Sequence, residues 1–420
     1  MTEFEEYTFP NGIRVLHKQV ENTKIAHCGF ILNIGSRDEK PHQIGIAHFW
    51  EHMAFKGTKK RKAYHILNRL DSVGGEVNAY TTKEKICFYA SLLDEHFEKA
   101  VDLLSDITFN SVFPAKEIEK ERSVILEEMS MYKDDPSDAI QDEFDEVIFG
   151  DHPLGYNILG TKESVRAFHK VDFDNFIREN LDTEEVIFSS VSKLPFKKVI
   201  RIVGKYLEEI PRLQAPKNRQ LFTGYSVQQV TKTKQISQSH CAIGTTSFPQ
   251  DHENRIPFFM LVNLLGGPGM NSRLNLAIRE KYGFVYGIDA HVTSFQDTGL
   301  FAIHFATETE TLKRCRSLVN KELKKLREKP LGSLQLHAAK QQIMGQLAMS
   351  DESNLGFMLM MGKSMLDLGR IESLNSIFEQ IKAVDAKKIM ELSNEIFTEE
   401  KLSSLTFMPD PEFLAQKEED

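Results

Sequence analysis

Apolar residues recur at Ile46, Phe49, Trp50 and Met53, the i, i+3, i+4, i+7 spacing of a helix that buries one stripe. At about 100° per residue, His48, Glu51 and His52 gather on the opposite side of that helix. Upstream, Tyr7-Thr8-Phe9 and Ile13-Arg14-Val15-Leu16 flank Pro10-Asn11-Gly12, which reads as a hairpin, and 25–34 reads as a strand. The loop Gly35-Ser36-Arg37-Asp38-Glu39 then delivers the chain to the His48 helix. Downstream the pattern predicts a helix over 63–73 stopped by Gly74-Gly75, strands over 77–81 and 86–93, and helices over 94–109 and 115–133. A strand over 186–191 and a helix over 195–207 complete one α+β unit.

The segment Pro211-Arg212-Leu213-Gln214-Ala215-Pro216 has two prolines and no apolar period, as a linker should. After it the order of elements recurs. Strands are expected over 239–245, 284–292 and 299–306, with helices over 256–265, 272–281, 311–328 and 335–349. Ala26-His27-Cys28-Gly29-Phe30 aligns with Ser239-His240-Cys241-Ala242-Ile243, and the His48 helix aligns with Phe258-Phe259-Met260-Leu261-Val262. The expectation is therefore two tandem homologous α+β domains, 1–210 and 223–420, joined by a linker over 211–222. Each is a mostly antiparallel sheet with helices on one face. In the second copy the aligned positions are apolar, so only the first is expected to hold a metal.

At 420 residues the chain is long enough for two or three domains, and 41% hydrophobic with 27% charged residues is the balance of a globular protein in water. A net charge of −9, with no basic block and no run of 18 apolar residues, argues against nucleic-acid and membrane partners. Met1-Thr2-Glu3-Phe4-Glu5-Glu6 is acidic and has no apolar run, which makes the cytoplasm the expected compartment. The tail Gln416-Lys417-Glu418-Glu419-Asp420 reads as a solvated end. Cys28, Cys87, Cys241 and Cys315 are scattered without Cys-x-x-Cys spacing, so they read as reduced core thiols. Any zinc must then be held by His and carboxylate.

Two imidazoles at i, i+4 can share one divalent ion, and the carboxylate just before the second His can act as a base without ligating. His48-x-x-Glu51-His52 has the spacing of an inverted zincin site. A catalytic zinc needs a third protein ligand. On the 115–133 helix, Ile118, Ile125, Met129 and Tyr132 mark the buried stripe, and Glu121 and Glu128 lie within roughly 20° of each other at its margin. Glu128 is the expected ligand. Glu121, two turns earlier, is its companion, placed to orient a ligand His.

At these residues the sequence resembles the pitrilysin, insulinase and mitochondrial processing peptidase family of zinc metallopeptidases, over nearly the whole chain. His48-Phe49-Trp50-Glu51-His52-Met53-Ala54-Phe55-Lys56-Gly57-Thr58 is similar to the family's metal helix, and Glu121-Arg122-x-Val124-Ile125-Leu126-x-Glu128 to its third-ligand helix, at the family's distance from His52. Gly74-Gly75-Glu76-Val77-Asn78-Ala79-Tyr80-Thr81 resembles its edge strand, which implies that Asn78, Ala79 and Tyr80 bind substrate. Arg279 and Tyr286 match the family's substrate-contacting pair.

The resemblance implies one Zn²⁺ per chain and a peptide substrate hydrolysed in an enclosed chamber of which this chain supplies half. A dimer follows, and a homodimer is favoured because one chain carries both the metal residues and the Arg279/Tyr286 pair. Gly266-Gly267-Pro268-Gly269 is much shorter than the glycine-rich loop associated with presequence recognition, which argues against targeting-peptide processing. Two other readings compete: a non-catalytic partner subunit, against which stand the retained His48, Glu51, His52 and Glu128, and a zinc hydrolase or lyase of a small metabolite.

Overall fold

A computed structural model of the protein describes residues 4–413 and 415; Met1-Thr2-Glu3 and the tail Gln416–Asp420 lie outside the described residues. The first sheet has six strands, β1 (Glu5–Thr8), β2 (Arg14–Gln19), β3 (Ile25–Leu32), β4 (Glu76–Thr81), β5 (Ile86–Leu93) and β6 (Val186–Ser192), in the order β1-β2-β6-β3-β5-β4. The second has β7 (Gln229–Lys234), β8 (Ser239–Ser247), β9 (Ile288–Ser294), β10 (Gly299–Thr307) and β11 (Ser403–Pro409), in the order β7-β11-β8-β10-β9. Each contains a single parallel pairing, β2 with β6 and β11 with β7, and is otherwise antiparallel. Apart from the outer β1, the second sheet repeats the first strand for strand. The sequence alignment of Ala26–Phe30 with Ser239–Ile243 places β3 on β8, which occupy the same position in the two orders.

The fold is the expected two-domain α+β architecture with mixed sheets and packed helices, but its two compact units are not contiguous in sequence. One comprises Met1–Met129, Tyr156–Gln220 and Met349–Ser373, and the other Ser130–Gly155, Leu221–Ala348 and Leu374–Asp420. Each unit therefore takes one helix from the far half of the chain. Asn354–Leu368 sets Phe357, Met358, Met361 and Met365 against Leu16, Ile187 and Val191 of the first sheet. Pro136–Phe149 sets Ile140, Phe144 and Val147 against Ala242, Leu300, Ala302 and Leu405 of the second.

The physical cause is that neither sheet is apolar on one face only. β6 (Val-Ile-Phe-Ser-Ser-Val-Ser) is buried at every position, and a strand buried on both faces needs cover on both. Helices on one face, as the sequence pattern suggested, leave Ile187 and Val191 in water; the donated helix covers them.

On the other face of the first sheet lies the main core. Ile46, Phe49, Trp50 and Met53 are fully buried there, as their spacing predicts. Each such side chain contributes about 1.5–3 kcal/mol, so this stripe anchors the helix Ile46–Ala54 firmly. The predicted strand over 284–292 begins only at Ile288. Phe284 instead stacks on Tyr282 at 5.2 Å, and its carbonyl accepts from the Thr307 hydroxyl. All four cysteines are buried and unpaired to one another. Among the described residues no helix is long and apolar enough to cross a membrane.

Candidate metal centre

The helix Ile46–Ala54 starts at a sharp turn. Gly45 has φ +97, and a Cβ there would meet Gly160 Cα at 2.7 Å, so only glycine fits without displacing backbone. The orphan amides of the first turn are met by a buried carboxylate from the preceding loop: Gly45 N donates to Glu39 Oε2 at 2.9 Å and Ala47 N to Glu39 Oε1 at 2.8 Å. Burial pushes the Glu39 carboxyl well above the ordinary range against the pull of those two amides. Glu39 escaped the sequence reading because nothing in its spacing distinguishes it from other loop acids. Only the folded loop brings it to the helix end.

With the stripe packed inward, His48, Glu51 and His52 face the helix Ala115–Asp134, which carries Glu121 and Glu128. His48 Nε2 lies 3.7 Å from Glu128 Oε1, and His52 Nε2 lies 3.4 Å from Glu128 Oε2. These gaps are longer than good hydrogen bonds. They are close to the edge of a tetrahedron whose metal–ligand bonds are about 2.0–2.1 Å, which is roughly 3.3 Å. The donor set of two imidazoles and a carboxylate therefore fits a zinc ion in size and in chemistry.

Behind the triangle, His52 Nδ1 lies 3.2 Å from Glu121 Oε2, and Lys56 Nζ holds Glu121 Oε1 at 2.7 Å. A proton on Nδ1, kept there by this carboxylate, leaves Nε2 as the lone-pair nitrogen. Glu121 thus sits where the sequence expected it, and Lys56 is a partner the sequence did not reveal. His48 Nδ1 is buried with no hydrogen-bond partner among the described residues.

Burial, and then the neighbouring His52, push the His48 pKa down to about 4, so its imidazole is neutral and free to ligate at neutral pH. Burial acts the same way on His52, but the Glu128 and Glu121 carboxylates beside it prevail and raise its pKa. The neighbouring His52, helped by His48, holds Glu128 below the usual carboxylate value despite desolvation.

Glu51, one residue before His52, does not join the triangle. Its Oε2 accepts from the Thr81 hydroxyl at 2.6 Å. Burial raises its pKa, moderated by that hydrogen bond. A partly buried carboxyl with a raised pKa beside a candidate cation site is suited to take up a proton and release it.

Thr81 ends β4, the edge strand of its sheet. Side chains alternate along a strand. Val77 and Ala79 pack with the main core and Thr81 reaches Glu51 on that same face. The side chains of Asn78 and Tyr80 belong to the opposite face, where Tyr80 lies across from Cys87 and accepts from its thiol at 2.9 Å, with Lys363 Nζ 4.8 Å above its ring. Neither is turned toward Glu51, so what these two can offer a substrate near Glu51 is main chain, not side chain. Thr81 is the side chain the sequence reading missed, although period-two alternation groups it with Val77 and Ala79.

In the second unit, Arg279 lies in the π-helical stretch Asn275–Glu280 and its guanidinium is 5.9 Å from the centroid of the Tyr286 ring. Tyr286 is 94% exposed. The pair predicted from the sequence is thus together, and the Tyr286 side chain stands open to solvent.

Comparison with known proteins agrees with this geometry. Residues 14–162 match the family model described as insulinase (peptidase family M16), and residues 167–343 match that of the M16 inactive domain. The chain is 32% identical over 401 residues to an uncharacterized zinc protease, YmxG, of Bacillus subtilis, spanning 94% of this chain and 96% of that one. It is 30% identical to uncharacterized zinc proteases of Streptomyces coelicolor, over 93% of this chain and 86% of that one, and of Rickettsia bellii, over 94% and 95%.

Two solved structures share the fold. A protease from Helicobacter pylori superposes with a TM-score of 0.91 at 19% identity, over 97% of this chain and 99% of that one. A peptidase M16 inactive domain from Pseudomonas fluorescens superposes with a TM-score of 0.90 at 18% identity, over 97% and 98%. By sequence along most of its length and by fold, the chain belongs to the insulinase family of peptidases, family M16.

Proposed function

We propose that the chain is a zinc-dependent endopeptidase that cuts short or unfolded peptides, with His48, His52 and Glu128 as zinc ligands and Glu51 as the general base. The observation that carries this reading is the convergence of two Nε2 atoms on the two Glu128 oxygens at 3.4 and 3.7 Å, with the partly buried Glu51 carboxyl beside them. A Zn²⁺ ion held by those three residues supplies Lewis acidity toward a peptide carbonyl and lowers the pKa of water toward about 7.

The remaining work falls to the protein. Glu51 takes the proton of the attacking water on its carboxylate and returns it to the departing amine. Thr81 holds Oε2 of that carboxylate, which fixes the orientation of the other oxygen. The outer edge of β4 lets a substrate add as a further strand through main-chain hydrogen bonds, which gives affinity with little demand on sequence. Ala79 shares the Glu51 face of that strand. Arg279 and Tyr286 are the donors we assign to the substrate backbone, from their match to the family's pair. The working species we propose is a homodimer with one catalytic zinc per chain.

The deciding experiment measures metal content and hydrolysis of a quenched peptide by wild type and Glu51→Gln, with and without a chelator. Wild type should carry zinc and lose activity on chelation. Glu51→Gln should keep the zinc and lose at least about 10²-fold in kcat, the size of a general-base contribution. Hydrolysis by Glu51→Gln at the wild-type rate overturns the base assignment, and chelator-resistant hydrolysis overturns the metallopeptidase reading.

A further inference from the structure

The aligned helix of the second half, Arg255–Gly266, has no residue able to ligate where the first half has His48 and His52. A different cluster lies on the second sheet. β9 is an edge strand, and Asp289 and His291 stand two residues apart on it, hence on the same face. Across the ladder His304 of β10 pairs directly with Asp289, while Ala302, the partner of His291, lies two residues before it on the same face. One ligand atom from each of Asp289, His291 and His304 lies within 4.8 Å of the other two. The two imidazoles stack at 4.9 Å between centroids, and His291 Nδ1 is 3.4 Å from Asp289 Oδ2.

The residue that makes this more than a surface cluster is His304. It is 8% exposed, lies edge-on to Phe144 of the covering helix, and neither of its ring nitrogens has a hydrogen-bond partner among the described residues. A buried imidazole normally finds a partner for its N–H and its lone pair. An imidazole with neither ring nitrogen engaged has a lone pair to give to a cation. His48 of the first centre has a similar signature, a buried ring nitrogen without a hydrogen-bond partner among the described residues, beside a second histidine. The side chains of His291 and Asp289 are 37% and 66% exposed and free to adjust. They can close the remaining gap toward the roughly 3.3 Å ligand spacing of a tetrahedral ion.

We propose that Asp289, His291 and His304 form a second divalent-cation site, suited to a borderline ion such as Zn²⁺, that ties the edge strand β9 to β10. The ligand set of two imidazoles and one carboxylate suits first-row transition ions in preference to Mg²⁺ or Ca²⁺, which take oxygen. Asp289 is exposed, His291 is half-buried, and among the described residues no ion pair backs His304, so it binds more weakly than the first centre. A chain at saturating zinc then holds two ions, one in each unit, in place of the single ion the sequence suggests.

The test is a zinc titration of metal-stripped full-length protein by calorimetry. Wild type should take up two equivalents. His291→Ala, at a half-buried position on the edge strand, should weaken the second equivalent at least about tenfold and leave the first unchanged. Asp289→Asn should do the same. His48→Ala should remove the first and leave the second, and in that variant zinc should slow hydrogen exchange of the β9 and β10 amides. A wild-type uptake of only one equivalent at millimolar free zinc overturns the proposal. So does a second equivalent that His291→Ala and Asp289→Asn leave unaltered. Because the second equivalent is read in His48→Ala protein, the result is independent of whether the first centre is catalytic.

Discussion

Glu121 touches His52 from behind, and removing it measures what that contact is worth. The carboxylate receives the Nδ1 side of His52 at 3.2 Å and is itself held by Lys56 at 2.7 Å, with its side chain only 8% exposed. A hydrogen bond to a charged group contributes about 1.5–3 kcal/mol. At 3.2 Å the contact belongs at the lower end, about 1.5–2 kcal/mol. At 1.4 kcal/mol per decade, Glu121→Ala should therefore weaken zinc binding about 10–30-fold. Glu121→Gln keeps an oxygen that accepts from Nδ1 but loses the charge that Lys56 and His52 share, so about 3–10-fold is expected. The assay is competition for zinc against a chromogenic chelator, with a melting curve in saturating zinc to verify that each variant folds. If both folded variants bound zinc within about twofold of wild type, the reasoning that Glu121 sets the tautomer and orientation of His52 would be refuted.

Thr81→Val removes the hydroxyl that donates to Glu51 at 2.6 Å while keeping the shape of the side chain. Loss of a donor disfavours the carboxylate, so the acid limb of kcat/KM should move to higher pH with zinc content unchanged; a limb that stays in place removes Thr81 from the mechanism. Glu39→Ala strands the amides of Gly45 and Ala47 at the start of the metal helix, and a loss of about 2–4 kcal/mol in denaturant unfolding is expected; an unchanged midpoint would show that the amides find other partners. His17 is a buried neutral imidazole bonded to Ser190 and the Leu194 carbonyl, and burial lowers its pKa below 6.5. Below pH 6.5 the unfolded chain binds a proton that the folded one refuses, so His17 contributes stability above that pH which is lost as pH falls through the folded value. The drop in melting temperature between neutral and mildly acid pH should shrink in His17→Gln, and an identical drop would exclude His17 as a source.

Local periodicity was enough to determine several features of this protein. The spacing of Ile46, Phe49, Trp50 and Met53 decided which side of the helix is buried and so which side carries His48, Glu51 and His52. The seven-residue step from Glu121 to Glu128 put both carboxylates on one flank of their helix, and the repeated order of strands and helices foretold two related sheets. These are properties of a single element or of element order, and a chain carries them without reference to distant residues. The tertiary structure decided what depends on which faces meet. Alternation along β4 separates Val77, Ala79 and Thr81 from Asn78 and Tyr80, but only packing against the His48 helix selects Thr81 as the partner of Glu51. The same holds for Glu39 at the helix start, for the helices that each unit takes from the far half of the chain, and for His304, whose strand register brings it beside Asp289 and His291. Glu39 lies only six and eight residues from the amides it meets and the others span more of the chain, but in each case register and packing, which a sequence pattern does not contain, set the distance.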